Sequence, residues 1–363
     1  MLPMEKYFGK FELVHAFYGA MPTGVSVSET GRIFVCFPKW EDEVQFTVAE
    51  IVDGQLMPYP NLETNLNNTG NIALSFVSVQ SIVADGRGTL WVLDTGAPYF
   101  SEPIYGGAKL VAVDLSTNTI KRIYTFTEDV VLPTTYLNDV RLDFRVGRAG
   151  YAYITDSSSR GLGAIIVLDL DNGIAFRRLN GAVSTSPDPY FLPKVEGEIL
   201  MNRNPDGTTF PFRMASDSLA ISPDGKVLFY APLTSRQLFS ISTETLRDRS
   251  ILDMNLSQYV QYWGEKGASD GMITGEKGTV YVGDYENSSI RKVLPNGEME
   301  TIAHDPRILW PDTFSIGPDQ FLYVIVNQLH RQPRFHYGRD LRIKPYSLLR
   351  MRIDELPAST FSL

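Results

Sequence analysis

Asp270-Gly-Met-Ile-Thr-Gly-Glu-Lys-Gly-Thr-Val-Tyr-Val282 and Gln80-Ser-Ile-Val-Ala-Asp-Gly-Arg-Gly-Thr-Leu-Trp-Val92 align without a gap. Each reads as a polar leading residue, an apolar strand, a tight turn carrying Gly and Asp, and a second strand with an aromatic residue. The pattern starts again at Thr23, Asn138, Asp217 and Asp312, so the leading residues of the six copies are Thr23, Gln80, Asn138, Asp217, Asp270 and Asp312. They are spaced by 57, 58, 79, 53 and 42 residues, an unevenness that hides the repeat from any fixed-period search.

Outward from each leading residue the same four-strand order recurs. Turns such as Asp85-Gly-Arg-Gly, Pro223-Asp-Gly and Gly317-Pro-Asp close the first hairpin, because Gly, Pro and Asp supply the dihedrals a tight reversal needs. A second hairpin follows: 109–114 with the strand from 120, 164–169 with 175–179, 237–242 with a strand near Leu246, and 289–294 with 299–302. In the first copy, 46–52 and 55–58 play this part. The last copy has only three strands, 314–316, 321–326 and 347–353, whereas a spare strand over 11–18 precedes Thr23. Pairing the spare strand with the last copy closes a ring. The expected fold is therefore all-β, a six-bladed β-propeller forming a single domain over 1–363, with blades starting near 23, 80, 138, 217, 270 and 312. Two β-sandwiches of three copies each are the competing arrangement, but no linker-like break lies near the middle of the chain.

Composition is that of an ordinary globular protein, 43% hydrophobic and 21% charged. A net charge of −9 and the absence of basic runs argue against nucleic acid or an anionic membrane as partner. Cys36 is the only cysteine, so no intrachain disulfide can form. No stretch has the length of a signal-peptide core or of a membrane helix, and the chain reads as cytoplasmic.

In a propeller the innermost strands all start at one end of the central channel. The six leading residues then form a ring of oxygens at one mouth, three of them carboxylates. The long loops 58–78, 94–108, 179–216 and 327–346 share that mouth, and the far face carries tight turns. These loops bring Tyr99, His330 and Arg331, while Trp310 and Tyr136 each stand two residues before a ring position. Converging hard oxygens suit a divalent cation, Ca²⁺ first, with Asn138, Asp217, Asp270 and Asp312 as ligands and Gln80 and Thr23 behind them. An ammonium ligand or ordered water would relieve the same repulsion. Asp94, Asp156 and Asp284 follow the second strands and read as caps of loop amides. Asp139 and Arg141 read as links between blades. His15 reads as structural, and among His304, His330 and His336 one could act as a general base. No nucleophile elbow, P-loop, dinucleotide fingerprint or zinc pattern is present.

Gly88-Thr-Leu-Trp-Val-Leu-Asp-Thr-Gly96, Leu137-Asn-Asp-Val with Ala152-Tyr-Ile-Thr-Asp-Ser157, and Trp310-Pro-Asp-Thr-Phe with Val326-Asn-Gln-Leu-His330 resemble the Yellow / major royal jelly protein family. The resemblance implies a six-bladed propeller, and it implies either dopachrome conversion, amine binding in the channel, or nutrition. Secreted insect members carry cysteines, one in the turn that here is Asp85-Gly-Arg-Gly, so secretion does not carry over. A more distant likeness is to the gluconolactonase/senescence-marker lactonases, whose metal site uses a Glu, two Asn and an Asp. Asn138 and Asp270 match in kind, Asp217 stands for an Asn, and Thr23 replaces the Glu.

Two functions follow as expectations. One is a metal-dependent hydrolase or isomerase acting on a small ester or carbonyl compound, with Asp270 or Asp217 as general base. The other is a non-catalytic binder of a small amine or aromatic ligand. Both take a small-molecule partner; oligomeric state is not legible.

Overall fold

The computed structural model describes residues 5–66 and 71–362; of the loop 58–78, residues 67–70 lie outside the described residues. Six antiparallel four-stranded sheets stand radially as a six-bladed β-propeller. Blade 1 comprises Gly24–Val27, Ile33–Cys36, Val48–Val52 and Gln55–Pro58. Blade 2 comprises Val79–Ala84, Thr89–Asp94, Lys109–Asp114 and Thr119–Thr125. Blade 3 comprises Leu137–Asp143, Tyr151–Asp156, Ala164–Asp169 and Ala175–Arg178. Blade 4 comprises Ser216–Ile221, Val227–Pro232, Gln237–Ser242 and Gln261–Glu265. Blade 5 comprises Met272–Thr274, Val280–Asp284, Ser289–Val293 and Met299–His304. Blade 6 takes Pro311–Ile316, Phe321–Val326 and Tyr346–Arg352, and its outermost strand is the N-terminal Glu12–Phe17.

That last pairing closes the ring, with Glu12 opposite Arg350 and Phe17 opposite Tyr346. The inner strands are buried on both faces almost throughout, so even their polar residues, as in Leu137–Asp143 and Ser216–Ile221, lie inside the molecule. Neighbouring blades share apolar clusters: Val92 and Val111 with Phe34 and Val48 between blades 1 and 2, Ile165 and Val167 with Leu219 and Tyr230 between blades 3 and 4.

Blade 4 departs from the expectation. The segment after Ser242 is a helix, Thr243–Arg247, because the Ser242 hydroxyl caps it by accepting from the Thr245 N–H. A 3₁₀ segment, Asp253–Tyr259, follows, and the outer strand forms only at Gln261–Glu265 rather than near Leu246. Leu246 and Leu256 are fully buried, so the apolar signal there came from core packing and not from a strand.

The far face also differs. Beyond the tight turns, residues 355–361 cross it as a strap. Glu355 accepts from the Lys277 N–H at 2.7 Å and from the Tyr281 hydroxyl at 2.7 Å. The Phe144 N–H donates to the Thr360 carbonyl at 2.8 Å, and the Thr360 hydroxyl donates to the Asp85 carbonyl at 2.7 Å. One segment thereby ties blades 5, 3 and 2 together across the channel. Among the described residues, no helix is long and apolar enough to cross a membrane.

Candidate functional site

Four of the ring residues sit where their strands lose register. The ladder shifts between Val79 and Ser81, Leu137 and Val140, Ser216 and Ser218, and Pro311 and Phe314. Gln80, Asn138, Asp217 and Asp312 occupy these irregularities, and a bulge re-aims a side chain that regular pleating would turn into a blade. Close approach also depends on Gly271, where a Cβ would overlap the Asp312 carbonyl oxygen.

All six leading residues are buried, and most of them join one hydrogen-bonded belt. The Tyr136 hydroxyl donates to Gln80 Oε1 at 3.0 Å, and Gln80 Nε2 donates to Asn138 Oδ1 at 3.4 Å. Asn138 Nδ2 donates to Asp217 Oδ2 at 2.7 Å and to Ser157 Oγ at 2.9 Å. Asp217 shares a hydrogen bond with Asp270. Asp270 accepts the Trp310 indole N–H at 2.6 Å, and Asp312 accepts the Asn327 amide at 2.6 Å. Thr23 stands slightly apart, its hydroxyl donating to the Gln80 carbonyl at 3.4 Å beside Cys36 Sγ at 3.8 Å.

The electrostatics follow from burial and like charge. Asp217 and Asp312 lie well above the ordinary carboxylate range, first through desolvation and then through repulsion from Asp270. Asp270 is pushed up to about 6 by burial, against the lowering effect of the Trp310 N–H. The donors that satisfy these three carboxylates are neutral: indole, amide and hydroxyl. An Asp that must share a proton with a neighbour is the expected consequence of carboxylates without a cation.

A divalent cation would need several oxygens pointing at one centre. Here the ring oxygens instead accept from Trp310, Asn327 and Asn138, and Asn138 presents its N–H₂ to Asp217. Among the described residues, no three His, Cys, Asp or Glu side chains are placed to hold a metal ion. As arranged, Asn138, Asp217, Asp270 and Asp312 bond to separate neighbours around the ring and do not fit a Ca²⁺ cage.

Above the ring the mouth is packed rather than open. Trp310 stacks on Tyr285 with ring centroids 4.2 Å apart, and His330 stacks on the Trp310 ring at 6.0 Å. Phe100 lies between Trp40 and Tyr136, at 5.0 and 4.8 Å, and the Trp40 indole donates to the Tyr136 hydroxyl at 2.6 Å. Tyr136, Trp310 and His330 thus meet the ring or its cover, whereas Tyr99 is 70% exposed and its neighbour Phe100 makes the stack. Arg331 pairs with Glu196 at 2.5 Å, and His330 Nε2 meets the same carboxylate at 2.7 Å. These residues line a mouth cavity of about 440 Å³ together with Arg203, His336 and Arg339. Burial pulls the His330 pKa down, while Glu196 is held well below its ordinary value, at about 2, by His330 and Arg331.

Trp40, Asn327, Tyr285 and Glu196 were not singled out by sequence reasoning. Asn327 lies inside the Val-Asn-Gln-Leu-His stretch of the last blade, which carried a usable signal; the other three are isolated loop residues without one. Asp94 and Asp156 do cap loops: Asp94 accepts from the N–H groups of Val77, Ser78 and Gly96, and Asp156 from those of Tyr136 and Ser158. Asp284 accepts from the Asn287 side-chain amide at 2.9 Å. His304 is bound to the Asn287 carbonyl and Glu5.

Comparison with known proteins places this geometry. Drosophila pseudoobscura pseudoobscura and Drosophila melanogaster "Protein yellow" are each 28% identical to this chain over 260 residues, 66% of this chain and 43–44% of theirs. The matched part is thus less than half the length of these relatives. Among solved structures, a luciferin-regenerating enzyme superposes with a TM-score of 0.58 at 13% identity, covering 98% of this chain and 100% of that one. A gluconolactonase from Xanthomonas campestris gives 0.55 at 12%, covering 96% and 90%. A calcium-binding regucalcin from Agrobacterium tumefaciens gives 0.53 at 12%, covering 95% of each. At such identities the likeness shows the fold alone. The family model of the major royal jelly protein matches residues 77–360, from blade 2 into the strap. The chain belongs to the major royal jelly protein family.

Proposed function

We propose that the protein binds a small molecule carrying an ammonium group, with the acidic ring as the cation's seat. The observation that carries this reading is the set of three buried carboxylates, Asp217, Asp270 and Asp312, satisfied by neutral donors. A monocation with three N–H donors offsets their repulsion and asks for about three acceptors, where a Ca²⁺ ion would need roughly six to eight oxygens around it. Asn138 and Asp270 keep 9% and 6% of their surface, the most of the six ring residues.

Isothermal titration with 2-phenylethylamine and, separately, with CaCl₂ tests this. Saturable amine binding that weakens at least tenfold in Asp270→Asn, with no saturable Ca²⁺ binding, is the expected result. Stoichiometric Ca²⁺ binding abolished by Asp270→Asn, without amine binding, would overturn it in favour of a divalent-cation site of the kind named for the regucalcin neighbour.

A second reading has its own observation. Burial lifts Asp270 to about 6, and burial with repulsion from Asp270 lifts Asp217 well above the ordinary carboxylate range, the kind of pairing that suits acid–base work on a small ester or carbonyl compound. Hydrolysis or isomerisation within a lactone and ester panel, lost in both Asp270→Asn and Asp217→Asn, would support it. No turnover across the panel would sink it.

A further inference from the structure

Three arginines of the channel mouth have acceptors. Arg331 pairs with Glu196, Arg342 with Asp42 and Asp340, and Arg203 donates to the carbonyls of Phe335 and Ile199 at 3.0 Å each. Arg334 has none. Among the described residues, no carbonyl or carboxylate oxygen accepts from its guanidinium, and Glu41 acts on it only from a distance. Of its three nitrogens Nε alone is sealed off from solvent, so Nη1 and Nη2 of this half-buried side chain keep accessible surface and are free to donate.

Three of the long mouth loops converge on this group. Its Cζ lies 4.7 Å from the ring centroid of Phe335, 5.0 Å from that of Phe100 and 5.5 Å from that of Phe212. Aromatic faces attract a cation but offer it no oxygen. Burial accordingly pulls the Arg334 pKa down to about 10. Phe335 and Phe212 are buried and fix the guanidinium, whereas Phe100 is half-buried and Tyr99 beside it is exposed. Both of the latter hold a left-handed backbone, at φ 53° and 58°, which bulky residues keep only where the surroundings enforce it. Phe100 in turn stacks on Tyr136, whose hydroxyl reaches Gln80 of the acidic ring.

The missing partner is defined by these neighbours. Two free nitrogens of a planar fork match the two oxygens of a carboxylate. Glu41 and the acidic ring favour a monoanion over a dianion such as phosphate. The open faces of Phe100 and Tyr99 suit an aromatic body next to the charge. We propose that Arg334 is the seat of an aryl-bearing carboxylate at the channel mouth, with Nη1 and Nη2 donating to its two oxygens. This seat is separate from the acidic ring and does not depend on the ring taking an ammonium group.

Isothermal titration of the full chain with 3-phenylpropanoate, and in parallel with its neutral counterpart 3-phenylpropanamide, tests this. Saturable binding of the carboxylate is expected, with the amide weaker by about tenfold or more. Arg334→Gln should lose about tenfold or more in affinity for the carboxylate, and Arg334→Lys, which keeps the charge but not the fork, should fall between the two. Glu41→Gln, at an exposed position, should tighten binding about two- to fivefold. Absence of saturable binding, equal binding of carboxylate and amide, unchanged affinity in a folded Arg334→Gln, or a loss confined to Arg339→Gln of the neighbouring mouth cavity would each overturn the proposal.

Discussion

Trp310 is held at φ 62°, a left-handed backbone that a bulky residue seldom adopts, and from there its indole reaches Asp270. The strain is retained because the indole is fully buried and stacks with both Tyr285 and His330. Trp310→Phe keeps the stack but removes the N–H that lowers the Asp270 pKa. The variant should lose about 1–3 kcal/mol in chemical denaturation, and the pH at which Asp270 ionises should rise, as read by NMR of the labelled carboxyl. The pH dependence of stability has a definite sign. Carboxyls whose pKa is raised on folding leave the native state holding more protons than the unfolded chain, so stability falls as pH climbs from near 4 through about 6 and levels off above the folded values of the ring. A melting temperature that declines from pH 5 to pH 8 in ligand-free protein, with a flatter profile in Asp217→Asn, is the expected outcome; a wild-type profile rising over that interval would contradict it. Sequence made these six positions legible because each heads the same recurring pattern of strand, tight turn and strand. It could not show that Asn138 would turn its N–H₂ to Asp217, since that choice depends on Gln80 and Ser157 arriving from other strands.

At the level of elements, the hairpin pattern carried the blades but not their irregularities. The register shifts at Gln80, Asn138, Asp217 and Asp312 leave no signature in a strand whose two faces are both buried, because alternation is absent there. The outer strand of blade 4 was misplaced for a related reason: Leu246 and Leu256 are buried beneath the blade edge by a capped helix and a 3₁₀ segment. The strap had no signal beyond a polar C-terminal stretch; its anchor, Glu355, is 3% exposed and becomes interpretable only with Lys277 and Tyr281 in view. Glu355→Ala leaves that hydroxyl and that amide without an acceptor. We expect faster hydrogen exchange across residues 356–361 and earlier proteolysis there, with the blades' exchange unchanged; protection equal to wild type would show that the strap is held by its remaining contacts, to blades 2 and 3 and to the Thr274 carbonyl and Glu276 N–H of blade 5.

For the whole molecule the decisive feature is closure. The N-terminal strand Glu12–Phe17 pairs with Tyr346–Arg352, and this seam closes the ring together with the packing of Gly24–Val27 on Pro311–Ile316. Opening it would bare the edge of Tyr346–Arg352, which is a template for strand addition by another chain. The seam joins positions more than three hundred residues apart, which makes it the pairing with the largest loop-closure cost. A covalent link there removes that freedom from the unfolded chain. Ala16 lies opposite Ser347, both half-buried, and the lone native thiol, Cys36, is buried and cannot compete. In Ala16→Cys with Ser347→Cys, oxidation should therefore raise the unfolding midpoint by about 4–10 °C, and reduction should return it to the wild-type value. If the oxidised form instead melts with the reduced one, unfolding begins between other blades and the terminal seam is not the point at which the ring opens.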